Sequence, residues 1–112
     1  KPLAKFQMVQ ECLAQMLADL TAMQLYCRRM ADLESAGELR PTQASLAKYH
    51  NTRAARRIAS TARDLLGGNG ILLENGVMQH MADIEAIHTY EGTESVQALL
   101  IGRDITGMSA FV

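Results

Sequence analysis

Two short segments of this sequence hold the residues whose types and spacing could carry chemistry. The first is Gly67-Gly68-Asn69-Gly70, which follows a helical pattern rather than a strand and lacks the Lys-Ser/Thr pair of a phosphate-binding loop. The run contains more glycine than one helix end requires. It is therefore either a helix stop or a place where uncovered backbone approaches a ligand or another subunit.

The second segment is Thr89-Tyr90-Glu91-Gly92-Thr93, and Glu91 is the carboxylate in this sequence best placed for catalysis. It follows a break in the helical pattern and comes just before a helix start, where backbone geometry would hold the acid in position. One hypothesis is that Glu91 is a general base. The other is that it only complements the N-terminal dipole of the next helix, and the residues by themselves favour this second hypothesis.

The remaining ionisable groups indicate neither a metal site nor a nucleic-acid site. Four of them lie close together in sequence but match no standard metal-ligand spacing: His80, Asp83, Glu85 and His88. His50 is expected at a helix surface or an interface. The net charge is −1 and only 4% of the residues are aromatic, which disfavours nucleic-acid binding. We therefore expect a solvated face, or pairing with acidic neighbours, for the basic residues Lys48, Arg53, Arg56, Arg57 and Arg63.

Helices must position these segments, and the longest is the clearest. Apolar residues recur in alternating steps of three and four from Phe6 to Met30, which predicts a helix over about residues 3–35. Gly37 and Pro41 predict a turn, with Thr42 as the cap of a second helix over about residues 42–66.

The second half of the chain is harder to assign. A short helix is expected over about residues 75–83, with Val77, Met78 and Met81 facing inward. Residues 83–92 are left unassigned, and Thr93 is expected to cap a last helix. The prediction for the whole chain is an all-α fold, an antiparallel four-helix bundle around one core.

Composition agrees with one globular domain. The chain has 112 residues, of which 48% are apolar and 21% are charged. No stretch reaches the ~20 consecutive apolar residues that span a bilayer, and no secretory signal pattern is present, so we expect a cytoplasmic or matrix-like protein. Cys12 and Cys27 lie too far apart along one helix for a disulfide and are predicted to be reduced core residues. Because the sequence starts at Lys1 without an initiator Met, we expect a piece of a longer protein.

The run Ala62-Arg63-Asp64-Leu65-Leu66-Gly67-Gly68-Asn69-Gly70-Ile71, followed by Tyr90-Glu91-Gly92-Thr93, resembles the C-terminal helical domain of the acyl-CoA dehydrogenase family. Within that family the chain looks closest to glutaryl-CoA dehydrogenases and their short-chain acyl-CoA oxidase relatives. Supporting that branch are Pro2-Leu3-Ala4-Lys5-Phe6-Gln7, Asp64-Leu65 and Gly102-Arg103-Asp104-Ile105-Thr106-Gly107. The resemblance covers essentially all of residues 1–112. It implies the last part of a three-domain flavoenzyme, inactive without an N-terminal helical domain and a β-domain.

The resemblance also implies roles for individual residues. Glu91 matches the catalytic base, which would remove the α-proton of an acyl-CoA thioester while a hydride passes to FAD. Its backbone N–H would bind the thioester carbonyl together with a flavin ribityl hydroxyl. Tyr90 matches a wall of the acyl pocket, and Gly92 leaves room for the acyl chain and the flavin. Positions that match FAD contacts are Gly67 and Gly68, toward a neighbouring subunit's FAD, then Thr93, and also Asp64 and Ser95, where many relatives have Gln.

Partners follow from the same resemblance. It implies an acyl-CoA substrate, dimers or tetramers built through the helical bundles, and electron-transfer flavoprotein or oxygen as the electron acceptor. It also implies the cytoplasm of a bacterium, or the mitochondrial matrix or peroxisome of a eukaryote. The alternative is a free-standing helical interaction module that binds a partner helix through the repeat of its first helix.

Overall fold

The apolar repeat from Phe6 to Met30 forms one long helix, as predicted, but this helix begins later than the sequence predicts. A computed structural model of the chain describes residues 1–111. Helix α1 spans Gln7–Ser35 and is preceded by a 3-10 turn at Leu3–Lys5. The predicted start at residue 3 is wrong because the backbone of Phe6 is extended, with φ −90° and ψ 136°, and separates the two. The helix ends as predicted, before Gly37, whose φ is +70°.

Helix α2 spans Pro41–Leu65, within one residue of the prediction at each end. Pro41 fits the first helical position, where the missing N–H costs nothing. The predicted cap Thr42 is wrong, because the helix already starts at Pro41 and Arg40 is the N-cap residue. The Gln43 side chain accepts a hydrogen bond from the Arg40 N–H at 2.8 Å and completes this start. Gly67, with φ +59°, follows the last turn.

Two shorter helices complete the fold. Helix α3 spans Val77–Thr89 and helix α4 spans Glu94–Thr106. The predicted third helix, over about residues 75–83, is therefore too short: no Gly or Pro interrupts the chain between Val77 and Thr89, and the helix continues through most of the unassigned segment. Thr93 caps α4 as predicted, with its Oγ1 accepting from the Val96 N–H at 3.3 Å.

Helix α2 is the centre of the molecule, and α1, α3 and α4 each pack against it. Contacts between Asp19 and Arg57, and between the Met23 carbonyl and Asn51, show that α1 and α2 are antiparallel. The pairing of Arg56 with Glu85 and the contact of Thr52 with His88 place α3 alongside α2 and also antiparallel to it. The all-α, four-helix fold is confirmed.

The helices surround little enclosed core. Among residues 1–111 the buried apolar side chains are Leu33 and Ala54. The predicted core role of both cysteines is wrong, because Cys12 is only half-buried and Cys27 is exposed, although both thiols are free. The radius of gyration is 16.9 Å, larger than the about 13 Å of a compact chain of this size, and the extents are 54 × 30 × 23 Å. The molecule is therefore elongated, with most apolar side chains facing grooves or solvent.

The helices can also be compared with the length and apolar character of a membrane-spanning helix. Within residues 1–111 the helices fall short of the length and apolar character that crossing a bilayer would require.

Candidate active site

The connection between α3 and α4, residues 90–93, holds the carboxylate singled out from the sequence. Glu91 has φ +53° and Gly92 has φ +96°, so two consecutive residues occupy the left-handed region. Glu91 is the one non-glycine residue with positive φ in the described part of the chain. Such a conformation costs about 1–3 kcal/mol and persists where surrounding contacts enforce it. These contacts therefore decide where the Glu91 side chain points.

Lys48, on α2, makes the strongest of these contacts. Its ammonium donates to the carbonyl of Tyr90 and, at 2.6 Å, to the carbonyl of Gly92. The same ammonium lies 5.3 Å from the centroid of the Tyr90 ring. One half-buried cation on the central helix thus binds the carbonyls of the residues on both sides of Glu91.

Gln97, in the second turn of α4, holds the loop from the other side. Its side chain is buried, and its Nε2 donates to the carbonyls of Glu91 and Gly92 at 3.4 and 3.3 Å. A Cβ on residue 92 would lie 2.6 Å from that Nε2. The positive φ favours glycine there, and any side chain at this position would displace the Gln97 amide.

With the carbonyls of Tyr90, Glu91 and Gly92 occupied, the loop leaves two groups of Glu91 unused. None of the hydrogen bonds and ion pairs among residues 1–111 involves the Glu91 carboxylate or the Glu91 N–H. The residue itself is exposed. An acceptor and a donor on one residue are therefore both free to meet a ligand.

Charged side chains join α2 to the elements on each side of this loop. The Arg56 guanidinium lies 2.7 Å from Glu85 on α3. Glu94, the first residue of α4, lies 3.4 Å from Arg53 and 3.4 Å from the His88 ring. The expected pairing of the basic residues with acidic neighbours is confirmed for these two arginines, and for Arg57 with Asp19. The pairs of Arg56 with Glu85 and of Arg53 with Glu94 anchor the helices at both ends of the loop to α2.

Of the histidines and acids that the sequence places close together, Glu85 and His88 take part in this packing, whereas His80 and Asp83 are exposed. Arg56 also lies 3.3 Å from His88, whose other ring nitrogen is 3.5 Å from the Thr52 hydroxyl. Among residues 1–111, no three His, Cys, Asp or Glu side chains are grouped so that they could hold a metal ion. His50 packs at the α1–α2 interface, its ring centroid 4.4 Å from that of Tyr26, as expected.

The glycine run lies directly after α2 and its residues have different surroundings. A Cβ on Gly70 would lie 2.3 Å from the backbone oxygen of Arg63, so this glycine allows the chain to pack against the end of α2. Gly67 provides the positive φ of the helix end. Gly68 has neither constraint, since its φ is not positive and no atom lies within 4 Å of its Cβ position. Gly67 and Gly68 leave exposed backbone, whereas Gly70 is structural.

The other predicted cofactor positions are on the surface. The Asp64 carboxylate is exposed and pairs with its neighbour Arg63 at 2.9 Å. Ser95 lies exposed in the first turn of α4, two residues after the capping residue Thr93. The glycine run and the Glu91 loop lie toward opposite ends of α2, roughly 25 Å apart along its axis at 1.5 Å per residue. Within one chain, the structure groups Tyr90, Glu91, Gly92, Thr93 and Ser95, but not Asp64, Gly67 and Gly68, with the loop.

Sequence reasoning missed Lys48 and Gln97 as site residues. The sequence places Lys48 only on the basic side of the second helix. Its role in the loop is not visible there, because its partners are carbonyl groups 42 and 44 residues further on. Backbone carbonyls have no signature in a sequence. Gln97 had a weak signal, since it is a polar residue one helical turn after the cap Thr93 and between the apolar residues Val96 and Leu100.

Comparison with known proteins assigns this architecture to a class. A family model described as the acyl-CoA dehydrogenase C-terminal domain matches residues 1–106. The chain belongs to the acyl-CoA dehydrogenase family, as the resemblance in its sequence indicated.

Individual relatives cover the chain almost completely but are much longer than it. A 3-(aryl)acrylate reductase from Clostridium sporogenes is 33% identical over 105 residues, which are 94% of this chain and 28% of that protein. The human mitochondrial short-chain specific acyl-CoA dehydrogenase is 34% identical over 100 residues, 89% of this chain and 24% of that enzyme. The chain thus spans about a quarter of the curated relatives it matches.

Solved structures agree with the fold in detail. A glutaryl-CoA dehydrogenase from Mycobacterium smegmatis matches with a TM-score of 0.97 and 41% identity, over 100% of this chain and 29% of that one. A second structure of a glutaryl-CoA dehydrogenase from the same organism, with the same match values, is a complex with FADH2.

Proposed function

We propose that this chain is the C-terminal domain of an FAD-dependent acyl-CoA dehydrogenase and that Glu91 is its catalytic base. The observation that carries the proposal is the loop itself: three carbonyls are bound by Lys48 and Gln97, while the Glu91 carboxylate and N–H are left free. Strain at a residue with unused polar groups is typical of functional sites. The 112-residue chain by itself is proposed to be inactive, because it spans only about a quarter of the length of the relatives it matches.

The two free groups of Glu91 suit the removal of a proton next to a thioester carbonyl. The carboxylate would accept the α-proton of the acyl group. The backbone N–H would donate to the thioester oxygen, where negative charge develops as the proton leaves. Substrate that fills the site and excludes water favours the neutral form of a carboxyl group, which makes the carboxylate a stronger proton acceptor.

The exposed backbone of the glycine run fits a flavin cofactor. When bound, FAD supplies the acceptor for the hydride that leaves the β-carbon. Gly67 and Gly68 offer backbone that no side chain of this chain covers, which suits contact with the adenosine diphosphate portion of the cofactor. Because this turn lies far from Glu91 along α2, the FAD it contacts is proposed to be that of a neighbouring subunit. We propose that Thr93 and Ser95 contact the cofactor beside Glu91. Asp64, which precedes the glycine run, is proposed to lie near the cofactor at that turn.

For the substrate we propose a short acyl-CoA, with glutaryl-CoA as the first candidate. Support comes from the 41% identity to the glutaryl-CoA dehydrogenase of Mycobacterium smegmatis. Tyr90, half of whose surface is exposed, is proposed as a wall of the acyl pocket, and Gly92 as the position that leaves it open. The group that would bind the distal carboxylate of glutaryl-CoA, and thereby favour decarboxylation, is proposed to belong to the N-terminal domain.

The exposed apolar side chains support association between copies of the chain. Leu13, Leu17 and Leu20 lie on one side of α1 and are exposed. We propose that this face forms part of a dimer or tetramer interface. For the whole enzyme, we propose electron-transfer flavoprotein or oxygen as the electron acceptor. The proposed location is the bacterial cytoplasm, or the mitochondrial matrix or peroxisome of a eukaryote.

The experiment that tests the function is Glu91→Gln in the full-length, FAD-loaded enzyme. We expect the FAD content and thermal midpoint of the wild type, and a rate of flavin bleaching by glutaryl-CoA or butyryl-CoA that falls by about 10²–10⁴-fold, the usual contribution of a general base. Glu74→Gln, which neutralises an exposed carboxylate in a turn, is the matched control and should keep the wild-type rate. A Glu91→Gln enzyme that bleaches within tenfold of the wild type would overturn the assignment of the base.

A further inference from the structure

Lys48 binds the carbonyls of the two residues that flank the proposed base. Its ammonium donates to the carbonyl of Tyr90 and, at 2.6 Å, to that of Gly92. These carbonyls belong to the residues immediately before and after Glu91. The backbone of Glu91 is therefore fixed on both sides by one cation from another helix.

This contact opposes the intrinsic preference of the Glu91 backbone. A φ of +53° is unfavourable for a residue with a side chain, and without outside contacts the loop would relax toward negative φ. Bonds from an ammonium to carbonyl oxygens are charge-assisted and stronger than neutral ones. Gln97 also donates to this loop, but it is neutral and its distances are 3.3 and 3.4 Å. Lys48 thus contributes most to holding the strained conformation.

Lys48 is not needed to attach α3 and α4 to α2. The pairs Arg56 with Glu85 and Arg53 with Glu94 make those attachments through side chains. The Lys48 ammonium, in contrast, contacts only the loop between them: its carbonyls and the Tyr90 ring, 5.3 Å away. Its three tetrahedral donors suit two converging carbonyls better than the planar fork of an arginine would.

We propose that Lys48 is a positioning residue that fixes the direction of the Glu91 carboxylate and N–H toward the α-carbon and thioester oxygen of a bound acyl-CoA. The proposal rests on the proposed role of Glu91. Lys48 itself touches neither the reacting atoms nor the proton that is transferred. Its effect is on the rate of the proton-transfer step rather than on substrate or cofactor binding.

The test uses the full-length, FAD-loaded enzyme with Lys48→Met, Lys48→Arg and the control Arg57→Met. Arg57 is on the same helix and pairs with Asp19 on α1, away from the loop. For each variant the FAD content, the thermal midpoint and the saturating rate of flavin bleaching are measured, together with the acyl-CoA concentration that gives half that rate. The probe is glutaryl-CoA or butyryl-CoA, whichever bleaches the wild type faster, with and without deuterium at the α-carbon.

For Lys48→Met we expect a saturating rate about 10–100-fold lower, as for a reacting group displaced by about 1 Å. The half-saturating concentration and FAD content should change less than threefold, and the α-deuterium isotope effect should increase because removal of the α-proton limits the rate more fully. Lys48→Arg should recover part of the rate. Arg57→Met should match the wild type in every measurement.

A Lys48→Met rate within twofold of the wild type, beside a strongly impaired Glu91→Gln enzyme, would overturn the proposal while leaving the base in place. An active Glu91→Gln enzyme would overturn the proposed function itself, and the role of Lys48 with it. Where Lys48→Met loses FAD or fails to fold, Lys48→Gln, which keeps two donors without charge, takes its place, and a rate loss with retained FAD is again expected. Loss of FAD or of the fold in both variants would assign Lys48 to structure alone and overturn the proposal.

Discussion

Glu91 and Gly92 are consecutive residues with positive φ, yet glycine occupies only the second position. At residue 92 a side chain would meet the buried Gln97 amide, and φ alone already favours glycine. At residue 91 a side chain is kept in spite of its conformational cost. The backbone strain of this loop is thus located at the residue whose side chain the proposed chemistry uses.

Gly92→Ala should lower both stability and turnover. The new Cβ would lie 2.6 Å from Gln97 Nε2 and the backbone would stay at φ +96°, so we expect a loss of about 1–3 kcal/mol in unfolding free energy. Turnover should fall because Gln97 must leave the loop carbonyls. Denaturant titration and flavin bleaching by acyl-CoA measure the two effects.

Gly102→Ala is the matched control for that substitution. Gly102 is inside α4, and no atom lies within 4 Å of its Cβ position. Alanine favours the helix there, so we expect unfolding free energy to rise by about 0.5–1 kcal/mol with turnover unchanged. Equal unfolding curves for the two alanine variants would contradict the strain assigned to Gly92.

Single residues were predictable from sequence when their signal is local. Glu91 could be singled out as a candidate because it stands between the end of one helical pattern and the cap of the next, and the capping role of Thr93 could be predicted because threonine is a common N-cap. Lys48 could not be found, because its partners are backbone atoms that any residues 90 and 92 would supply. The positive φ of Glu91 was equally invisible, since tertiary contacts impose it.

At the scale of elements, α2 connects every part of the site. Its Lys48 side chain holds the Glu91 loop, Arg53 and Arg56 attach α4 and α3, and its end leads into the glycine run. Regular periodicity predicted α1 and α2 well, because long helices repeat the pattern many times. The full extent of α3 was missed although Ile84 and Ile87 continue the apolar spacing of Val77 and Met81, because the repeat is short and charged or polar residues such as Asp83, Glu85 and His88 interrupt it.

The glycine run allows a prediction that separates a structural glycine from one proposed to contact the cofactor. Gly70→Ala would place a Cβ 2.3 Å from the Arg63 backbone oxygen, and we expect about 1–3 kcal/mol lower unfolding free energy. Gly68→Ala meets no atom within 4 Å and should keep the wild-type thermal midpoint, but it should weaken FAD binding. Thermal unfolding and titration of the apoenzyme with FAD distinguish the two. Unchanged FAD affinity in Gly68→Ala would contradict the proposed cofactor contact.

For the whole molecule, the large exposed apolar surface differs from the single core expected from composition. Composition gives the number of apolar residues but not how many of them become buried, and part of the apolar repeat of α1 stays exposed. Leu13 is 44% exposed, Leu17 64% and Leu20 43%, although their spacing puts them on one face. A contiguous apolar face of this kind is typical of an interface between chains.

Leu17→Lys should disrupt the proposed assembly of the full-length enzyme. A charge in the centre of this face would have to be buried without a partner, which is costly. Light scattering during size-exclusion chromatography should show a smaller species than the wild type. Glu11→Lys, an exposed substitution on another side of α1 with a larger change in charge, should keep the wild-type size. An unchanged size for Leu17→Lys would show that the interface lies elsewhere.

The position of α2 between the Glu91 loop and the glycine run makes its length a constraint on evolution. Inserting or deleting one residue of α2 between Lys48 and Leu65 would turn everything beyond that point by about 100° and shift it by about 1.5 Å, so that Lys48 and the run could no longer keep their relative orientation. A change of length in the connection over residues 36–40 would not alter this relative orientation, because the connection precedes both Lys48 and the glycine run. Related chains can therefore exchange side chains along α2 but should place their gains and losses of residues in connections such as this one.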